Sequence, residues 1–129
     1  MTAGQKKVFI VDDDTFLLDM YSLKFSQSGY TVESALGPEA ALEKLKSGYV
    51  PEVMLLDVVM PTMNGFELLE KMRAEHFAEN TIKIILSNRG QQSDIARGEE
   101  LGAAGYIVKA NSTPAEVVAR VEEILAGKK

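Results

Sequence analysis

Short apolar runs in this chain are followed at once by residues able to do chemistry. Asp12, Asp13 and Asp14 follow residues 8–11, Asp57 follows 53–56, Ser87 follows 82–86, and Lys109 follows 106–108. Taken singly, each has an ordinary reading. An aspartate after a strand is commonly a helix cap, which suits Asp14 but cannot serve Asp12 and Asp13 as well. Ser87 alone is a turn residue, and Lys109 alone a solvated charge. The combination says more. Carboxylates gathered at one place repel, and one of them takes up a proton unless a cation neutralises them. An Asp-rich site with few rigid ligands suits Mg²⁺, which keeps several waters and shares its shell with phosphate oxygens. Lys109, by charge, and Ser87, by hydrogen bonding, could hold the remaining phosphoryl oxygens. Asp57 would then be the nucleophile, forming an aspartyl phosphate.

The elements that must position these residues are legible from pattern. Five runs, 8–11, 30–35, 53–56, 82–86 and 106–108, are rich in Val, Ile, Leu or Tyr and too short for helices. They read as strands buried on both faces. The second, with Thr31, Glu33 and Ser34, is the most polar and is placed at an edge. Between them run helical patterns. Leu17, Tyr21 and Phe25 recur every fourth residue before Gly29, and Gly37-Pro38 opens a helix that buries Leu42 and Leu45 before Gly48. Asn64 and Glu67 form a capping-box pair ahead of Leu68 and Met72. Thr113, Pro114 and Glu116 do the same for a helix with Val117, Val121, Ile124 and Leu125 on one stripe. Residues 91–101 make the weakest helix, with Ile95 and Leu101 its large apolar residues and an interior Gly98 costing about 1 kcal/mol relative to alanine. Five β-α alternations imply right-handed crossovers and a parallel sheet covered on both faces. In such a sheet ligands bind at the carboxyl ends of the strands, where the acidic residues, Ser87 and Lys109 all stand.

Composition narrows the classes. The 129 residues carry 14 Lys plus Arg against 19 Asp plus Glu, a net charge of −5, with one histidine and no cysteine. That length fits one domain. The acidic balance argues against a nucleic-acid surface, which needs Lys and Arg against phosphates. Without cysteine there is no disulfide, thiol nucleophile or Cys-based zinc site, which fits a cytoplasmic protein. The apolar runs are only a few residues long, whereas a membrane span needs about 20. Lys6 and Lys7 precede an apolar run that the aspartates cut short, so no signal-peptide core forms.

Other phosphate chemistries fail on particular residues. A dinucleotide fold needs Gly-x-Gly-x-x-Gly after its first strand, where this chain has three aspartates that would repel a pyrophosphate. There is no Gly-x-x-x-x-Gly-Lys-Ser/Thr loop and no Gly-x-Ser-x-Gly elbow. A hydrolase of the haloacid dehalogenase type wants a second aspartate two residues after its nucleophile, where Val59 stands.

These residues resemble the receiver domain of two-component response regulators, especially single-domain, chemotaxis-type members. The resemblance rests on Asp12-Asp13, the block Leu55-Leu56-Asp57-Val58-Val59-Met60-Pro61-Thr62-Met63-Asn64-Gly65, Ser87 and Lys109. It covers essentially the whole chain, and the Asp57 block is its most specific part. It implies a (βα)5 flavodoxin-like, doubly wound parallel sheet of five strands in the order 2-1-3-4-5, one receiver domain over 1–129 with a core of about 6–126, and no output domain. By the same resemblance, Asp57 accepts a phosphoryl group from a phosphohistidine on a sensor histidine kinase or histidine phosphotransfer protein. Asp13, Asp57 and the Val59 carbonyl hold Mg²⁺, with Asp12 acting through metal-bound water. Lys109 reaches a phosphoryl oxygen, while Ser87 and Tyr106 form the switch that remodels the surface of the fourth helix and fifth strand. The weak fourth helix is a reasonable element for a phosphoryl charge to bias.

Further expectations follow. Tyr106 has the alternative reading of a plain strand aromatic. His76 reads as a surface residue, so the phosphohistidine must come from elsewhere. Ala110 stands where many members have proline in a cis peptide, and a cis bond before another residue costs roughly 2.5–4 kcal/mol, which leaves the isomer of this bond, and with it the placement of the Lys109 amine, open. Asn88 is larger than the family's usual residue, narrowing access to Asp57, and Val59 and Arg89 flank the phosphoryl position. The protein is expected to be a cytoplasmic monomer signalling by altered binding to a downstream protein, with no external substrate, nucleic acid or membrane. The alternative is a receiver-like interaction module that takes no phosphate.

Overall fold

A computed structural model describes residues 6–127. The elements run β1 (Lys7–Asp12), α1 (Thr15–Gln27), β2 (Thr31–Leu36), α2 (Pro38–Lys46), β3 (Val53–Leu56), α3 (Gly65–Glu75), β4 (Ile82–Ser87), α4 (Gln92–Glu100), β5 (Ala103–Val108), a single 3-10 turn (Lys109–Asn111) and α5 (Pro114–Gly127). The five strands are all parallel, in the order β2-β1-β3-β4-β5, so the polar second strand lies at an edge as expected.

Alternation along the central strands divides the core. Val8 and Ile10, Val53 and Leu55, and Ile84 and Leu86 face α1 and α5, meeting Leu18, Tyr21, Phe25, Val117 and Val121. Phe9 and Val11, Met54 and Leu56, and Ile85 face the other way, meeting Ala41 and Leu45 of α2 and Leu68, Leu69 and Met72 of α3. Burial on both faces is why these strands are continuous apolar runs.

Local signals set several helix starts. The Asn64 side chain accepts from Glu67 N–H while Glu67 accepts from Asn64 N–H, both at 2.9 Å. Thr113 and Glu116 form the same reciprocal pair at the head of α5. The fourth helix has a packing reason for its glycine, because a Cβ on Gly98 would lie 2.8 Å from Ile85 Cδ1. Leu101 is buried there, but Ile95 is only half-buried. The fifth strand begins three residues earlier than its pattern suggests, since Ala103, Ala104 and Gly105 are too small to give a strand signal. No helix among the described residues is long and apolar enough to cross a membrane.

Candidate functional site

Because all five strands are parallel, their carboxyl ends share one edge. Asp12 closes β1, Asp57 follows β3, Ser87 closes β4, and Lys109 begins the turn after β5. Lys109 comes from the far edge strand, yet its long side chain reaches the middle of the sheet. Its Nζ donates to Asp12 Oδ2 at 2.7 Å and to Asp57 Oδ2 at 3.0 Å, and all three side chains are buried. The Lys109–Ala110 peptide is trans. The other carboxylate oxygens take backbone donors. Asp12 Oδ1 accepts from Asp14 N–H at 3.0 Å and Asp57 Oδ1 from Val59 N–H at 3.3 Å.

The three consecutive aspartates divide their tasks. Asp14 caps α1 by accepting from Leu17 N–H at 3.1 Å. Asp12 is buried in the ion pair, and Asp13 points to solvent at the rim. One carboxylate oxygen from each of Asp12, Asp13 and Asp57 lies within 4.8 Å of the others. The donors are hard oxygens, and one Lys109 ammonium offsets only part of three carboxylate charges, so the set fits a hard divalent cation such as Mg²⁺.

The electrostatics match this crowding. Burial raises the Asp12 pKa, and contacts with Lys109 only partly offset it. Burial would lower Lys109, but the hydrogen bond to Asp12 and the charges of Asp57 and Asp12 outweigh it and hold the ammonium above its ordinary value. The Tyr21 phenol, read from sequence as a core aromatic, also lies in the field of Lys109, Asp12 and Asp57, with burial the main cause of its raised pKa.

Ser87 and Tyr106 sit beside this cluster and are engaged elsewhere. The buried Ser87 hydroxyl accepts from Arg89 N–H at 3.2 Å. The Tyr106 hydroxyl donates to the Arg89 carbonyl. Its pKa is pushed up to about 12 by burial and then by the charge of Asp94, opposed by Arg89. Asp94 is the residue that sequence reasoning missed. It is buried, and accepts from Arg89 Nε at 3.0 Å and from Gln91 N–H at 3.1 Å. The segment Gln91-Gln92-Ser93-Asp94 looks like a solvated first turn. Its one usable signal is an acidic group three residues past the position that opens the helix. Arg89 is thus the centre of a latch joining the ends of β4 and β5 to the start of α4. The sole histidine, His76, caps α3 at the opposite edge of the sheet and pairs with Glu79.

The fold and this cluster define a protein class that sequence and structure comparisons confirm. The profile of the response regulator receiver domain matches residues 8–122, and the chain belongs to that family. The transcriptional regulatory protein CpxR homolog of Haemophilus influenzae is 36% identical over 119 residues, covering 92% of this chain and 50% of that protein. The alkaline phosphatase synthesis transcriptional regulatory protein PhoP of Bacillus subtilis is 33% identical, over 93% of this chain and 48% of its own length. The chain therefore spans about half the length of these curated relatives. Among solved structures, a CheY-like response regulator receiver domain protein from Methanospirillum hungatei matches with a TM-score of 0.84 and 29% identity, covering 95% of each chain. The Vibrio cholerae chemotaxis protein CheY4 matches at 0.85 and 28%, covering 94% of this chain and 99% of that one.

Proposed function

We propose that this receiver accepts a phosphoryl group on Asp57 from a phosphohistidine of a partner histidine kinase or histidine phosphotransfer protein, and signals by a change in protein binding. The observation that carries this reading is a buried aspartate held by Lys109 beside two further carboxylates. An Asp57 carboxylate oxygen attacks the phosphorus and forms the new P–O bond. The P–N bond breaks with its electron pair going to the imidazole, which takes up a proton as it leaves. Lys109 then shifts its charge from the carboxylate to a phosphoryl oxygen. Asp13, Asp57 and the Val59 carbonyl would hold Mg²⁺ directly and Asp12 through water. When bound, the ion offsets negative charge on the phosphoryl oxygens.

A protein donor agrees with the rim. Phe16, Leu36 and Val59 are large apolar residues at this edge, 74%, 54% and 58% exposed. Output would run through the Arg89 latch. A phosphoryl group adds a charge of about −1.5 to −2 and strong acceptors, drawing the Ser87 hydroxyl away from Arg89 N–H. The loop shift frees Tyr106 to turn inward, and α4 moves with Asp94.

Incubation with Mg²⁺ and a small-molecule phosphodonor, followed by intact mass measurement, tests this. One phosphoryl adduct is expected, lost in Asp57→Ala and on chelation of the metal. No adduct with any donor would favour a phosphate-independent interaction module, and steady phosphate release from many substrates would indicate a hydrolase. Val59 has no polar group to orient an attacking water, so the adduct should be long-lived and Val59→Asn should shorten its lifetime. An unchanged lifetime would count against that role.

A further inference from the structure

At the amino-terminal edge of the sheet, away from the carboxylates, lies a cavity of about 380 Å³ between the end of α3, the α3–β4 loop and the starts of β4 and β5. Phe77 and Ile82, both half-buried, give it an apolar lining, and Arg73 and Lys83 supply two cations. Its volume falls in the range of small-ligand pockets, roughly 300–1,000 Å³.

The two cations are unusual in their company. Lys83 lies inside an apolar strand, half-buried, and its Nζ donates only to backbone carbonyls, Ala78 at 3.0 Å and Thr81 at 3.3 Å. Arg73 donates to the carbonyl of Glu100 at 3.0 Å. Among the described residues neither has a carboxylate within the 4.0 Å of an ion pair. Glu79 lines the same cavity, but its carboxylate is engaged by His76. Burial, and then the neighbouring charge of Arg73, lower the Lys83 pKa, and the pull of Glu79 is the weakest of the three influences. A third Lys83 N–H and most of the guanidinium donors remain unused by protein groups. Like charges held together in a partly desolvated cleft call for an anion.

We infer that this cavity binds a small organic carboxylate, its anionic head between Arg73 and Lys83 and its apolar body against Phe77 and Ile82. The inference is independent of phosphoryl transfer, because none of these residues belongs to the Asp57 site. The apolar lining selects an acid with a hydrocarbon body over a bare inorganic anion, and the paired cations select the acid over its neutral amide.

Amide resonances followed by NMR while the protein is titrated with hexanoate, hexanamide or inorganic phosphate give the test. Saturable shifts at Arg73, Lys83 and Gly102 with hexanoate, absent with hexanamide and much weaker with phosphate, are expected. Arg73→Gln and Lys83→Met should each weaken hexanoate binding on the order of tenfold, the loss of one charge-assisted hydrogen bond. Exposed Arg73 is replaceable without disturbing the core, so Arg73→Gln decides the matter if Lys83→Met does not fold. Equal binding of hexanamide or of phosphate, no saturable shift, or hexanoate binding unaffected by Arg73→Gln would each overturn the assignment.

Discussion

Lys109→Met is expected to cost on the order of 3 kcal/mol of stability at neutral pH without Mg²⁺, as a buried ion pair does when one partner is removed. Removing the ammonium leaves Asp12 and Asp57 buried and facing each other. Their repulsion then has no cation to offset it. The pH dependence follows from the pKa directions. In the native protein Lys109 has a raised folded pKa, so its stabilisation is complete below the unfolded value of about 10.4 and is lost as pH rises through the folded one. The folded pKa of Asp12 is raised as well. Its protonated form therefore favours folding below about pH 3.9, and that contribution is lost as pH rises through its folded value. Neutral pH thus already carries a cost at Asp12, which Lys109→Met enlarges.

Under the proposed metal role, Mg²⁺ should reverse much of this loss, since the folded carboxylate cluster would bind it and the unfolded chain would not. Urea unfolding with and without Mg²⁺ should show a larger metal-induced stabilisation in Lys109→Met than in the native protein. In both, it should shrink as the carboxylates protonate. Phosphorylation of Asp57 should slow on the order of a hundredfold, the usual cost of removing one donor from a developing oxyanion. Native stability in the variant, together with an unchanged response to Mg²⁺, would show that Lys109 is not what makes this cluster tolerable.

The contrast between Lys109 and Asp94 explains what was legible in the sequence. The strands that carry Asp12, Asp57 and Ser87 are buried on both faces, so they declare themselves as apolar runs. Parallel pairing then brings their ends together without further information. Lys109 was found because it stands at such an end. Asp94 sits in a polar stretch at the start of a helix with little apolar character, and its burial depends on Arg89 folding back over it. No periodicity encodes that. Tyr106 shows the same gap, because its position was evident but the partner of its hydroxyl was not. Lys83 lies within a run correctly read as a strand, yet its pairing with Arg73 across the cavity depends on how α3 ends. Local hydrogen-bonding chemistry was more readable, as the reciprocal caps at Asn64 and Thr113 show. Small residues hid the beginning of β5, where Ala103, Ala104 and Gly105 offer no branched or aromatic side chains.

Gly65→Ala should damage both the fold and the site, for a reason rooted in the Asp57 block. A Cβ at Gly65 would lie 2.2 Å from the Asp57 carbonyl oxygen and 3.0 Å from both Asp57 C and Val58 Cα. These are backbone atoms, with no flexible side chain to swing aside. Gly65 N–H also donates to the Val58 carbonyl at 2.8 Å, tying the first residue of α3 to the segment that carries Asp57. An added methyl therefore has two ways out. Either α3 shifts and weakens this bond, or the backbone at Asp57 moves and takes its carboxylate out of register with Asp13 and Lys109. Overpacking of this kind costs roughly 1–3 kcal/mol, occasionally more, and a loss at the upper end is expected because both colliding partners are main chain. Thermal unfolding should show a lowered Tm, and Mg²⁺ titration monitored through the Tm should show weaker binding. Gly127→Ala is the control. It lies in the last turn of α5 with no atom within 4 Å of the added Cβ, so it should leave stability unchanged or slightly raised, since alanine is the better helix former. If Gly65→Ala matched this control in Tm and Mg²⁺ response, the close approach between α3 and the Asp57 backbone would not be a constraint on the site.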